Sequence, residues 1–165
     1  MNSTPNFFET ATANEHQSAL TELLLTTNPG LEDVAAAEFA ARLEAAKMQN
    51  AAYEAKPQGI GGRILVRSAD TFDLLWPIAN AMRSIHHIHR PVAHFAIDSD
   101  DPLWWIREQL ADLEIREMTD ARTFRVTSKR NGIHDFTSVD IQRSAGAGIV
   151  DRYSTNVNLT RYDVN

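Results

Sequence analysis

The sequence predicts an α/β protein of the α+β type, arranged as two modules, and three observations carry that expectation. Short runs with the two-residue apolar alternation of a half-buried strand are interleaved with longer runs whose apolar residues recur every three or four positions, the period of an amphipathic helix. A polar run, Asp98-Ser99-Asp100-Asp101-Pro102, divides these runs into two sets. The charge also changes sign along the chain. Residues 1–120 hold 9 Lys and Arg against 18 Asp and Glu, whereas residues 121–165 hold 7 against 4, within a formal net charge of −6. With 43% hydrophobic residues among 165, there is apolar material for one domain or two small ones.

Residues 1–19, rich in Asn, Thr, Ser, Glu and Ala without a sustained period, are expected to form a disordered tail. Glu22 to Thr27 (ELLLTT) reads as a buried strand. Asn28-Pro29-Gly30 then pairs a capping residue with a proline at a first helical position. Leu31, Ala35, Phe39 and Leu43, with Val34 beside them, make one apolar stripe through about Ala46, and Glu32 and Asp33 sit in the first turn, where the helix dipole favours acids. Strands over Ala51 to Lys56 and Arg63 to Ser68 flank Pro57-Gln58-Gly59-Ile60-Gly61-Gly62, a turn with three glycines, and are expected to pair antiparallel. Asp70 is the expected cap of a second helix (TFDLLWPIANAMR), kinked or restarted at Pro77. A last strand falls within Ser84 to Ile97, interrupted near Pro91. The order strand, helix, strand, strand, helix, strand is that of a ferredoxin-like domain, an antiparallel sheet with two helices on one face, and residues 20–97 are assigned to it.

The second module, residues 98–165, opens on a helix with Pro102 near its first position and Leu103, Ile106, Leu110 and Leu113 on its apolar face. Arg122 to Ser128 alternates Phe124 and Val126 with Arg125 and Thr127 as a half-buried strand, and Asn131-Gly132 supplies a turn. Thr137 and Asp140 fit a capping box. Val139, Ile141, Ala145, Ile149 and Val150 continue a helix to about Asp151, and Val157 to Val164 reads as a further strand.

Composition narrows the function classes. The chain has no cysteine, which removes disulfides and thiolate zinc sites and fits a reducing compartment. No apolar run approaches the roughly 18 residues that read as a membrane span, so a cytoplasmic location without a membrane partner is expected. His86, His87, His89 and His94 crowd nine residues, but no carboxylate stands at ligand-like spacing and His86 alternates away from His87 on a strand, so no metal site is assigned. Trp104 and Trp105 diverge by about 100° on a helix, which sends one ring to the core and the other to a domain contact. Gly146 and Gly148 lie inside a helical pattern, where they let the helix pack closely on its sheet or let a nucleic-acid backbone approach; they do not form a nucleotide loop. No catalytic constellation is present, and no cofactor is expected to bind this chain.

The stretch FRVTSKRNGIHDFTS, Phe124 to Ser138, stands apart, because an acidic chain here collects cations. Arg125 alternates outward on the strand, Lys129 and Arg130 sit at its end, Arg143 emerges from the next helix, and Ser128, Asn131 and His134 add polar groups around the helix start. Forked guanidinium donors, an ammonium and a helix N-terminus are chemistry for holding phosphates. The same charges would also guard an edge strand against aggregation.

TTNPGLEDVAAAEFAARL, followed some 80 residues later by FRVTSKRNGIHDFTSVDIQRSAGAGIVDRY and VNLTRYDV, resembles the N-terminal half of the THUMP-containing RNA guanine-N2 methyltransferases that act on tRNA and on large-subunit rRNA. The resemblance covers about residues 20–165, and its second stretch is the more specific. It implies that residues 98–165 are a THUMP domain, cut before its final strands, following the ferredoxin-like domain. It further implies that the two grip structured RNA, near the single-stranded 3′ end of the acceptor stem in the tRNA enzymes, and not DNA. By motif, Arg125, Lys129, Arg130 and Arg143 are the RNA-contacting positions it implies, with Ser128 and His134 in the same loop. In that family a separate Rossmann-like domain binds S-adenosylmethionine and an Asn/Asp-Pro-Pro-Tyr/Phe motif holds the target amine. This sequence has no Pro-Pro pair, so the methyltransferase domain is expected to be a partner in cis or in trans. Because THUMP domains also accompany thiouridine synthetases and a pseudouridine synthase, those enzymes form the second reading, and a stand-alone ferredoxin-like interaction module the third.

Overall fold

Leu23, Leu25, Ile64 and Val66 are fully buried, and the residues between them are only half-buried. A sheet with one covered face follows directly from that alternation. The computed structural model describes residues 20–49 and 51–165, so the tail expected over residues 1–19, and Asn50, lie outside the described residues. The described residues form two compact units that divide between Pro91 and Val92.

In the first unit, β1 (Thr21–Thr26), α1 (Glu32–Ala45), β2 (Ala52–Ala55), β3 (Arg63–Ser68), α2 (Phe72–Asn80) and β4 (His87–His89) follow in the expected order. The sheet order is β2-β3-β1-β4, with every neighbour antiparallel. Thr21 pairs with Ser68 and Thr26 with Arg63, while Leu24 faces His89 and Thr26 faces His87 across the other edge. This is the ferredoxin-like arrangement. Ala35, Phe39 and Leu43 of α1 and Leu75 and Ala79 of α2 share one core with the apolar side of β1 and β3.

Two helix starts differ from expectation. Asn28 does not cap α1, and Pro29 is not its first residue: Leu31 occupies the N-cap position without a side-chain bond, and Asn28 to Gly30 form a turn in which Leu31 N–H donates to the Asn28 carbonyl at 3.0 Å. The capping work passes to Glu32, which is only 3% exposed. Its Oε2 accepts from Gly30 N–H at 2.9 Å and its Oε1 from Gly62 N–H at 2.7 Å, so one carboxylate clamps the β1–α1 turn to the β2–β3 turn. The Gly62 donor is the main cause that holds this carboxyl below its ordinary value. Gly62 itself has φ of +74°, and a Cβ there would lie 2.6 Å from the Thr27 carbonyl oxygen, so the position admits only glycine. At α2, Thr71 takes the N-cap position in place of Asp70, and the helix is continuous through Pro77 without restarting.

A second carboxylate fixes the approach to β4. Glu38 on α1 accepts from the backbone N–H groups of Arg83 and Ser84, both at 3.0 Å, from the Ser84 hydroxyl, and from Arg42 Nη2 at 2.8 Å. Burial pushes its pKa up, but the Ser84, Arg42 and Arg83 donors outweigh that and bring it from 4.5 to about 2.

The second unit contains α3 (Pro102–Asp112), β5 (Thr123–Phe124), α4 (Ser138–Tyr153) and β6 (Asn156–Val157). Pro102 opens α3 as expected, and Asp101 caps it by accepting from Trp104 N–H at 3.0 Å. Trp104 is exposed, whereas Trp105 meets Phe95 edge to face at 5.0 Å. The capping box of α4 forms as predicted: Thr137 Oγ1 accepts from Asp140 N–H at 3.2 Å, and Asp140 Oδ2 accepts from Thr137 N–H at 2.8 Å.

Both strands expected in this unit are much shorter than their patterns. β5 and β6 pair in parallel over two residues each, and Phe124 makes a further parallel bridge to Val164. Asn158 ends β6, because its Oδ1 accepts from Thr160 and Arg161 N–H at 3.0 and 2.9 Å and turns the chain. Alternation marks which side chains face the core, but a ladder needs a neighbouring backbone, which residues 126–128 lack.

Gly148 was expected to bring α4 close to a sheet; it brings it close to α3. A Cβ there would collide with the Arg107 carbonyl oxygen and lie 3.0 Å from Leu110 Cβ. Around this contact Arg107 Nη2 pairs with Asp151 at 2.7 Å, and Arg152 Nη1 donates to the carbonyls of Ala111 and Asp112 at the end of α3. Met118, Phe124 and Ile149 complete a small buried core.

Two outcomes follow. Gly148→Ala should destabilise the second unit by about 1–3 kcal/mol through overpacking. Gly146→Ala, whose new Cβ meets nothing nearer than Val126 Cγ2 at 3.9 Å, should be neutral or gain up to about 1 kcal/mol of helix propensity; urea midpoints of the two variants separate these. For Glu38, a carboxyl held below its unfolded pKa stabilises the fold only while ionised. Its contribution is therefore complete above about pH 4.5 and is lost as the pH falls through about 2. Glu38→Gln should cost on the order of 1–3 kcal/mol at pH 7, and urea unfolding between pH 5 and 2 should show the wild-type advantage shrinking toward zero.

Candidate functional site

The basic stretch between β5 and α4 is an ordered loop, and its cations divide into two kinds. Arg125 has its guanidinium 4.2 Å above the Tyr162 ring, and its Nε donates to Asn165 Oδ1 at 3.1 Å, with Thr127 Oγ1 donating to the same oxygen at 2.8 Å. Arg130 Nη1 donates to the carbonyls of His134, at 3.2 Å, and Phe136. These two arginines are braces as well as charges. Lys129 and Arg143 differ: both are exposed and, among the described residues, neither has a hydrogen-bond or ion-pair partner.

Local bonds hold the loop against α4. Ser128 Oγ donates to the Ser138 carbonyl at 2.7 Å, which joins the end of the β5 segment to the first turn of α4. Of the residues singled out in the sequence, Ser128 is thus spent on the fold. His134 Nε2 lies 2.7 Å from the Asn131 carbonyl, and its ring stacks on Phe136 with centroids 5.1 Å apart and an interplanar angle of 24°. Arg143 lines a groove of about 570 Å³ together with Phe124, Val126, Val139, Val157 and Leu159. The Arg143 charge also contributes to lowering the Asp140 carboxyl, after the Thr137 hydroxyl and N–H bonds that dominate.

Three residues of the site were not singled out in the sequence: Phe136, Tyr162 and the fully exposed Ile133. Phe136 and Tyr162 had a signal, as aromatics close to basic residues or histidine, His134-Asp135-Phe136 and Arg161-Tyr162; Ile133 had none.

No group of three or more His, Asp or Glu among the described residues is placed to hold a metal ion. His87 and His89 share a face with rings 6.0 Å apart, burial followed by the charges of His87 and Arg63 pushes His89 down, and His86 Nε2 lies 3.1 Å from Asn28 Oδ1. Gly146 and Gly148 are buried inside α4, with no glycine-rich turn between a strand and a helix N-terminus to receive a nucleotide.

A family model described as THUMP domain matches residues 106–165. This part of the chain is a THUMP domain. Over 136 residues, 82% of this chain, the sequence is 29% identical to the tRNA (guanine(6)-N2)-methyltransferase of Thermus thermophilus. The crystal structure of TrmN from the same organism superposes on 87% of the chain with a TM-score of 0.67 and 29% identity. The chain is homologous to that methyltransferase on both counts. A tRNA sulfurtransferase of Escherichia coli is 35% identical over 104 residues, 61% of this chain. The chain spans 37% of the methyltransferase and 20% of the sulfurtransferase. The loop, α4 and β6 described above all fall within the THUMP match.

The brace assigned to Arg130 has a measurable consequence. Arg130→Ala should accelerate amide hydrogen exchange across residues 131–136, with protection in the middle of α4 unchanged; equal loss along α4 would show that the guanidinium supports the whole unit instead.

Proposed function

We propose that residues 20–165 are the RNA-targeting region of an S-adenosylmethionine-dependent RNA guanine-N2 methyltransferase acting on tRNA or rRNA, with methyl transfer carried out by a separate domain in cis or in trans. The observation that supports this most is the extent of the match. The likeness to the methyltransferase runs through both the ferredoxin-like unit and the THUMP domain, whereas the likeness to the sulfurtransferase covers 61% of the chain. A sulfurtransferase parent is the second reading, since that match has the higher identity where it applies.

In this reading Lys129 and Arg143 hold phosphates, with Arg125 presenting the outer edge of its guanidinium from the Tyr162 ring. Phosphate contacts position an RNA without reading its sequence. Counterions compete for them, so binding weakens as salt rises.

The test is a salt titration of the purified chain with a tRNA. The logarithm of the affinity should fall linearly with the logarithm of salt concentration, and Lys129→Ala or Arg143→Ala should each flatten that slope by at most roughly one. Arg83→Ala, an exposed cation of the first unit, should leave it unchanged. Salt-independent binding, or equal loss from Arg83→Ala, would count against the site. Methyl transfer from S-adenosylmethionine by the chain alone would overturn the division of labour.

A further inference from the structure

We propose that the stacked pair His134 and Phe136 is a nucleobase platform, on whose outer imidazole face one unpaired base of a single-stranded RNA end stacks. The proposal rests on the RNA-targeting reading above and assigns one part of that site a task other than holding phosphates.

Four observations converge on it. The two rings are already stacked, at 5.1 Å and 24°, so one face of the imidazole is occupied by Phe136. His134 is nonetheless an exposed residue. The ring is held in place, because His134 Nε2 meets the Asn131 carbonyl at 2.7 Å and Arg130 bridges the carbonyls of His134 and Phe136. Lys129 stands five residues before His134 with, among the described residues, no hydrogen-bond or ion-pair partner, while Ile133, the residue before His134, is a fully exposed apolar side chain.

Each feature has a physical role in capturing an unpaired base. Aromatic side chains bind single strands by stacking, and every base presents a π face, so the platform selects unpaired over paired nucleotides without selecting sequence. A base in a duplex already stacks on its neighbours and gains nothing. Because Arg130 and the Asn131 carbonyl order the loop beforehand, binding does not bear the entropy of ordering it. A lone exposed isoleucine is ordinary on a protein surface, but an exposed aromatic pair in the same short loop as an unpartnered lysine matches a nucleotide, which offers an apolar face and an anionic backbone together. Arg130 is accordingly a positioning residue for the platform.

The experiment uses the full chain and a hairpin RNA with four unpaired 3′ nucleotides, carrying 2-aminopurine at each unpaired position in turn. In the wild type, fluorescence should be quenched at one position on binding, and removing the base there should weaken binding about tenfold, as loss of one base–aromatic stack does. His134→Ala should abolish the quench and weaken the intact RNA by the same factor, with no added effect on the abasic RNA. His134→Tyr should keep both the quench and the affinity. Lys129→Ala should weaken binding and leave the quench in place. If RNA binds but no position is quenched, or the quench survives His134→Ala, or it is lost equally in His134→Tyr, the platform is wrong and the targeting reading stands. If the hairpin does not bind at all, both fall.

Discussion

The second unit depends on how closely α4 lies against α3 at Gly148. Its strands are two residues long, and its buried apolar side chains are few, Ile106, Met118, Phe124, Ala145 and Ile149, so neither a backbone ladder nor apolar volume alone can fix its shape. The helix pair does so. With no side chain at 148, the α4 backbone comes into contact with the Arg107 carbonyl, and polar bonds then join the two helices, Arg107 of α3 pairing with Asp151 of α4 while Arg152 and Tyr153 of α4 donate to carbonyls at or just beyond the end of α3. Three parts of the candidate site are hung from the same helix: the capping box at its start, the Ser128 tie to its first turn, and Arg143 on its exposed face.

The apparent conflict between an acidic chain and the proposed anion-binding site is eased where carboxylates are already engaged by the fold. In the first unit Glu32 and Glu38 are bound to backbone N–H groups, and Glu22 and Glu54 both pair with Arg67. Their charge is met at short range by donors of the fold. In the THUMP domain, Asp140, Asp151 and Asp163 are likewise engaged with a helix cap, an arginine and the Arg122–Thr123 backbone. Lys129 and Arg143 carry no such partner. A net charge of −6 therefore says little about the potential at this loop, since screening and local pairing confine each charge to its neighbourhood.

Much of the architecture was legible in the chain, because local chemistry specified it. The stripe Ala35, Phe39, Leu43 and the alternation in ILV at 64–66 each identify a buried face with little dependence on what covers it. The Thr137/Asp140 box is complete within four residues, as is the Asp101-Pro102 start of α3. Reading failed where a residue's partner lay far along the chain. Asn28 looked like a cap, but Glu32 reaches Gly62, 30 residues on, and takes over that role. Arg122 to Ser128 and Val157 to Val164 alternated like full strands, yet pairing between them stops after two residues, because Asn158 turns the chain and only Val164 returns to bridge Phe124.

The candidate site divides along the same line. By itself the sequence determined that cations gather between Phe124 and Arg143, that a helix begins at Thr137, and that Gly148 lies within that helix, because composition, capping and periodicity are properties of neighbouring residues. Only the tertiary structure decided what each of these does. Of five prominent side chains, Arg125 rests on Tyr162, Arg130 closes its own loop, His134 stacks on Phe136, and Lys129 and Arg143 remain turned to solvent. The reason is that a charge or ring is recognisable in a sequence, whereas its availability depends on which donors, carbonyls and rings the folded backbone brings within reach.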